Sequence, residues 1–347
     1  MQKELVQTIG LNTDNITLIM ILSLVAFVVA MLLTPIYTHY AFKYKWWKKK
    51  DRTVSTTGEK LSVVAQLRIK RTIPRMAGMV MVATIALVTI AFNLDRGQTW
   101  LPLAALVSGG IVGLIDDYLY VSGKGGGVMG LGARKKFFLI TLIASIAALY
   151  FYYKLGYSSV HVPIVGDLTI GWLLIPLFIL VVVSTSNAVN ISDGMDGLAG
   201  GLLINAYAAF GVIALFQGNY GISGFCFTVA GALMSYLWFN IPPARFVMGD
   251  VGSFALGTSL GVVAMLTDTL LLLPVIGFVF VVEGGSSLVQ ITSKRLLKRK
   301  VFIAAPIHHH FEAMGWPKTK VTMRFWIISQ ACAVIGVVLA FTTGFIR

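Results

Sequence analysis

The sequence predicts an all-α, polytopic integral membrane protein with about ten transmembrane helices, both termini external and an active-site cleft on the cytoplasmic face. Three observations point there. Of 347 residues, 57% are hydrophobic and only 12% charged, a balance that a soluble domain of this size does not carry. Apolar runs of membrane-crossing length, roughly 20 residues for a hydrocarbon core about 30 Å thick, recur along almost the whole chain. The basic residues gather in alternate linkers between those runs.

In order, helices are expected near 17–42, 76–93, 101–116, 137–153, 169–187, 198–216, 221–239, 253–267, 269–292 and 325–345. The first run, Ile16 to Phe42, is far longer than a signal-peptide core and lacks a small-residue cleavage site behind it, so a retained helix is expected. Linkers 43–75, 117–136, 188–197, 240–252 and 293–324 then share one side and carry 24 of the 28 Lys and Arg residues. By the positive-inside rule that side is cytoplasmic. The opposite linkers, such as Leu94 to Trp100 and Gln217 to Tyr220, are short and nearly free of positive charge.

No repeat period and no separate soluble domain emerge, so residues 1–347 are expected to form a single transmembrane domain. The net charge of +14 follows from topology and contact with membrane lipids, not nucleic acid. Cys226 and Cys332 both lie in apolar runs, which supports neither a disulfide frame nor a thiolate metal site.

Five of the 14 carboxylates, Asp116, Asp117, Asp193, Asp196 and Asp250, fall at or just beyond the cytoplasmic ends of expected helices. A lone acid there commonly marks a helix end. Five from three segments at one depth repel one another and lose hydration, which is tolerated chiefly where a cation or a reaction requires them. Hard oxygen ligands suit magnesium, which takes one or two protein groups and fills its remaining positions with water and phosphate.

The first acidic segment reads GLIDDY, a weak signal by itself. The second, SNAVNISDGMDGLAGG, spaces Asn187, Asn190, Asp193 and Asp196 by threes, on one face if the helix continues, with glycines that admit phosphate close to backbone N–H groups. The third, WFNIPPARFVMGDVGSFALG, closes one helix at Asn240 and opens the next at Asp250, which is either an N-cap or a ligand. The last cytoplasmic loop runs from SKRLLKRK into APIHHHFEAMGWP. His308, His309 and His310 lack the HExxH or CxxC company of a transition-metal site, so phosphate or substrate contacts are favoured.

NAVNISDGMDGLAGG, WFN followed by MGDVGS, and APIHHHFEAMGWP in this order resemble the polyprenyl-phosphate sugar-1-phosphate transferases. PIHHHFE narrows the resemblance to the branch that transfers phospho-N-acetylmuramoyl-pentapeptide, and the likeness covers most of Lys70 to Arg324. The resemblance implies ten helices, external termini and a site facing the cytoplasm of the bacterial inner membrane. It implies that undecaprenyl phosphate attacks UDP-N-acetylmuramoyl-pentapeptide, that UMP leaves, and that Mg2+ is the cofactor. Carried over by motif, Asn190 and Asp250 contact the metal, while Asp116 and Asp117 lie near the lipid phosphate and diphosphate. Asp193 joins the acids as a catalytic candidate, and Asn187 and Asp196 line the same cavity. Lys70, Asn240 and Gln290 are implied nucleotide or diphosphate contacts, and His308, His309 and His310 sugar and phosphate contacts. Direct attack and an aspartyl-phosphate intermediate use the same acids.

The chain departs from the family pattern at two places. KRTIPRMAG stands where Gly-Thr-Pro-Thr-Met-Gly-Gly is usual, so Thr72, Ile73, Arg75 and Ala77 do not fit. Val247 occupies a place commonly held by an aromatic residue, with Phe246 next to it. The rival within the superfamily is a polyprenyl-phosphate N-acetylglucosamine-1-phosphate transferase. The rival from another class is a transporter, whose acids would sit near the bilayer midplane. Apolar helix faces are compatible with a homodimer.

Overall fold

The computed structural model describes residues 13–47, 73–123 and 130–346. Long helices dominate: α1 Thr13–Lys43, α2 Gly78–Phe92, α3 Trp100–Ser122, α4 Ala133–Leu149, α5 Leu174–Ser192, α6 Leu198–Phe216, α7 Tyr220–Asn240 and α8 Gly249–Leu266. The short α9, Leu273–Ile276, precedes α10, Phe278–Leu296; α11, Ile307–Ala313, carries the histidines, and α12, Lys318–Thr342, follows. Each of the ten expected apolar segments coincides with helix. Eight helices are long and apolar enough to cross a membrane among the described residues, and nine if the pair bent by 82° at Gly277 counts as one span. α2, with 15 residues, is shorter.

A two-stranded antiparallel hairpin, β1 Ser159–Val162 and β2 Gly166–Thr169, was not expected from the sequence. Its signal is there in SSVHVPIVGDLTI, where β-branched residues flank a Pro- and Gly-containing turn.

α8 is the axis of the molecule. Apart from Asp250, every one of its residues is buried, and α3 and α5 pack along it most extensively, while α1 lies on α7 and α12 on α6. Small residues set the spacing. A Cβ on Gly113 of α3 would collide with the backbone carbonyl of Asp250, and one on Gly78 with the backbone of Gly252. Close backbone approach of this kind is how helices associate where burial against lipid gives little driving force. It also fixes the position of Asp250 relative to the acids one turn beyond Gly113.

Candidate active site

α3 does not end at Asp116, as expected, but continues through both aspartates to Ser122. The pair therefore rests on a rigid, packed helix. Asp116, Asp117 and Asp250 each bring a carboxylate oxygen within 4.8 Å of the others. Asp250 is not an N-cap: it lies inside the first turn of α8, and no side chain caps that helix. Its carboxylate reaches across, with Oδ2 2.9 Å from Lys136 Nζ and Oδ1 accepting from Asn190 Nδ2 at 3.2 Å. Lys136 also reaches Asp116 at 3.3 Å, and the backbone N–H of Leu131 donates to Asp116 Oδ1 at 2.6 Å. Asp117 is fully buried, with Oδ1 3.3 Å from Arg75 Nε and Oδ2 accepting from Val251 N at 3.1 Å.

Arg75 is delivered by backbone pairing. Val247 N donates to the carbonyl of Pro74 at 3.0 Å, Ala77 N to Val247 O at 3.2 Å, and Gly78 N to Met248 O at 2.9 Å. The segment that departs from the family pattern is thus fastened to Val247 and Met248, and the Arg75 guanidinium stacks over Tyr120 at 4.4 Å. Burial lowers the pKa of Arg75, but Asp117 and Asp250 more than offset it and hold the group above its ordinary range. Phe246 does not line the acidic cleft. It is buried against Tyr37, Tyr236 and Phe239.

α5 stops at Ser192, so Asn187 and Asn190 are helical while Asp193 and Asp196 lie in the turn beyond. All four therefore do not share one helical face. Burial pushes the carboxyl of Asp193 up to about 8, Arg75 opposing and Asp250 and Asp117 adding to the shift. Asn240 is a strut of that turn: its Oδ1 accepts from Gly197 N at 2.8 Å and its Nδ2 donates to Phe246 O at 2.7 Å.

The three histidines diverge around one helical turn, as adjacent positions must. His308 is fully buried with Nδ1 2.7 Å from Glu283 Oε2, and its ring lies against Gly194 of the acidic turn. His309 Nδ1 is 2.9 Å from Glu312 Oε2, and His310 Nδ1 accepts from Ile303 N at 3.2 Å. Gln290 is committed to the same loop, accepting from Val301 N and Phe302 N at 3.0 Å each and donating to Phe302 O at 2.9 Å. Ser286, Gln290 and Ser293, at spacings of four and three on one face of α10, all bind this loop. Lys70 and Thr72 lie outside the described residues.

Sequence reasoning missed Glu283, Lys136 and Arg75. Glu283 stands alone in an apolar run, and an intramembrane acid demands a partner, so that signal was present. The two cations were absorbed into loop topology.

An apolar cleft of about 500 Å³ lies between α5 and α10 at the Gly277 bend, lined by Leu180, Val181, Ile191, Leu273, Phe280 and Leu288. Asn187 also lines it, one helical turn from Asn190. Asn190 in turn donates to Asp250, so the polar end of α5 is shared by the cleft lining and the acid cluster.

The family described as Glycosyl transferase family 4 matches residues 99–268, which contain all five candidate acids. A phospho-N-acetylmuramoyl-pentapeptide-transferase of Chloroflexus aggregans is 38% identical over 339 residues, covering 94% of this chain and 90% of that protein. The enzyme of the same name from Geobacillus thermodenitrificans is 33% identical over 326 residues, covering 92% and 97%. The chain belongs to the phospho-N-acetylmuramoyl-pentapeptide-transferase family. It is a transferase with the multi-pass helical architecture of a membrane protein. Within this family architecture, Asp116, Asp117 and Asp250 supply three hard anionic oxygens, and the amide of Asn190 lies beside them, a donor set suited to a hard divalent cation.

Proposed function

We propose that this protein transfers phospho-N-acetylmuramoyl-pentapeptide from its UDP derivative to undecaprenyl phosphate, releasing UMP and forming the first lipid-linked intermediate of peptidoglycan. The observation that carries the reading is the cluster of Asp116, Asp117 and Asp250, joined by Asn190, with an apolar cleft whose lining includes Asn187, one helical turn from Asn190. The cleft suits a polyprenyl tail, and the cluster, once it holds a divalent ion, suits the two phosphate-bearing groups that must meet for transfer. The names of the relatives favour this over the related N-acetylglucosamine-1-phosphate transfer. The reading includes ten crossings, counted from the apolar runs, and external termini with a cytoplasmic site, from the charge of the linkers; the bacterial inner membrane is what the family resemblance implies, and the whole chain would act as one domain. Membrane lipids would contact the basic loops, and a second copy the apolar faces.

Magnesium would be held by Asp250 with Asn190, with Asp116 and Asp117 adjoining. When bound, such an ion withdraws charge from a diphosphate and stabilises a departing phosphate. The residues of the chain do the rest by positioning and charge compensation. Asp116 or Asp117 accepts the proton of the lipid phosphate at a carboxylate oxygen. A phosphate oxygen then bonds to the sugar-linked phosphorus, and the bond from that phosphorus to UMP breaks. Lys136 and Arg75 compensate anionic charge around the reacting groups. Asp196, Asn240, Gln290 and the histidine loop, with Lys70, shape the nucleotide and sugar side, Asn240 and Gln290 by holding the loops, while Asn187 contacts substrate from the lining of the apolar cleft. Asp193 completes the acidic wall. The test is UMP release by purified protein that requires both substrates and magnesium and is lost in Asp250→Asn. Near-normal activity of that variant in saturating magnesium would remove the metal assignment.

A further inference from the structure

Three carboxylates within 4.8 Å of one another need compensation before any substrate arrives. Among the described residues two side chains give it, from opposite sides. Lys136 spans Asp116 and Asp250, and Arg75 spans Asp117 and Asp250, with Nε 3.3 Å from Asp117 and Nη2 3.9 Å from Asp250. The two differ in how firmly they are held. Lys136 is a flexible ammonium that can swing aside. Arg75 is tied at its backbone, where Arg75 N donates to Trp46 O at 2.9 Å and Tyr37 Oη donates to Arg75 O at 2.5 Å, and at its head by stacking on Tyr120. Met76, the next residue, adopts a left-handed φ of +71°, a conformation that surrounding structure must enforce. The guanidinium is therefore a fixed cation inside the acidic cluster, and it shares Asp250 with Asn190.

We infer that Arg75 is a positioning and charge-setting residue: its fixed guanidinium makes the free protein a weak divalent-ion site, so that the ion is taken up together with the diphosphate. The inference rests on the proposed metal reading and deepens it. With Arg75 and Lys136 present, the three carboxylates carry a residual charge of about −1, and a divalent ion alone overshoots neutrality. An arriving diphosphate offsets that excess positive charge and supplies phosphate oxygens to the ion, as magnesium sites commonly require. Without Arg75 the residual charge is about −2, which matches a bare divalent ion.

The test is Mn2+ binding to the full-length detergent-purified protein, read by electron paramagnetic resonance of the free ion, with and without UDP. In the wild type UDP should tighten Mn2+ binding by on the order of tenfold or more. Arg75→Gln, which keeps a donor toward Asp117 but removes the charge, should bind bare Mn2+ about tenfold more tightly, with a smaller gain from UDP. Arg75→Met should behave like Arg75→Gln, and Arg75→Lys should stay near the wild type. Should either neutral variant fail to fold, as read by size-exclusion profile, the other decides. Unchanged or weaker bare Mn2+ affinity in the folded neutral variants would overturn the role of Arg75 while leaving the metal site standing. No Mn2+ binding that Asp250→Asn abolishes, in wild type or variants with or without UDP, would overturn both.

Discussion

Glu283 and His308, from α10 and α11, meet at 2.7 Å between Oε2 and Nδ1, with neither side chain exposed. The contact fixes which ring nitrogen faces the glutamate and holds the imidazole against Gly194, at the turn that carries Asp193 and Asp196. It is thus the link between the histidine loop and the acids.

If that link positions His308 for substrate, Glu283→Gln should lower kcat by roughly 10- to 100-fold, the usual loss when the group orienting a functional side chain is altered. KM should change little. Adding it to His308→Ala should cost nothing further, because the two act as a unit. Steady-state kinetics of the double-mutant cycle checks this, and multiplicative losses would contradict it.

Asp250 and Asp117 should separate by stability. Both Asp250→Asn and Asp117→Asn are expected to reduce kcat by about 10²–10³-fold. Only Asp117 has both oxygens engaged in full burial, by Arg75 and by Val251 N, so Asp117→Asn should also cost about 1–3 kcal/mol of stability. Thermal melting of the two variants in detergent compares them.

Chelation should abolish UMP release, and magnesium, not sodium at matched ionic strength, should restore it. Saturating magnesium with UDP should also raise the melting temperature, since a ligand at a hundred times its Kd stabilises by about 2.7 kcal/mol. An unchanged melting curve would argue against ion binding at the folded site.

Gly113→Ala tests the helix packing that sets the acids. The added methyl meets the carbonyl of Asp250, backbone that cannot rotate away, so α3 and α8 must separate. Activity should fall by on the order of 10²-fold, as misplacement of about 1 Å does elsewhere, although no acid is changed. Activity measured beside a size-exclusion profile tells displacement from unfolding.

Gln290→Ala should release the loop it staples. Loss of three hydrogen bonds to Val301 and Phe302 predicts faster hydrogen exchange across residues 299–304, with a rise in KM larger than the fall in kcat. Unchanged exchange there would show the staple to be redundant.

Much of this was legible in the sequence for a physical reason: apolar length and loop charge are local properties, so the long helices appear as continuous runs. Asp116, Asp117 and Asp250 could be grouped because each sits at a boundary of an apolar run, Asp116 and Asp117 at the end of one and Asp250 at the start of another. What the chain hid depends on tertiary proximity. Lys136 and Arg75 read as loop charge until α4 and the 73–77 segment bring them to the acids. Asn240 and Gln290 read as substrate contacts, whereas their amides are engaged with Gly197 and Phe246 in one case and Val301 and Phe302 in the other. Three consecutive histidines looked like one cluster, yet a helix sends them in three directions.

Transfer of the phospho-sugar to the lipid is read most directly by a mass-spectrometric assay. Purified protein would be given undecaprenyl phosphate and magnesium, with UDP-N-acetylmuramoyl-pentapeptide and UDP-N-acetylglucosamine offered together. The account predicts selective conversion of the pentapeptide substrate to its lipid-linked product with stoichiometric UMP. Conversion of the N-acetylglucosamine donor instead, or no UMP from either, would contradict it.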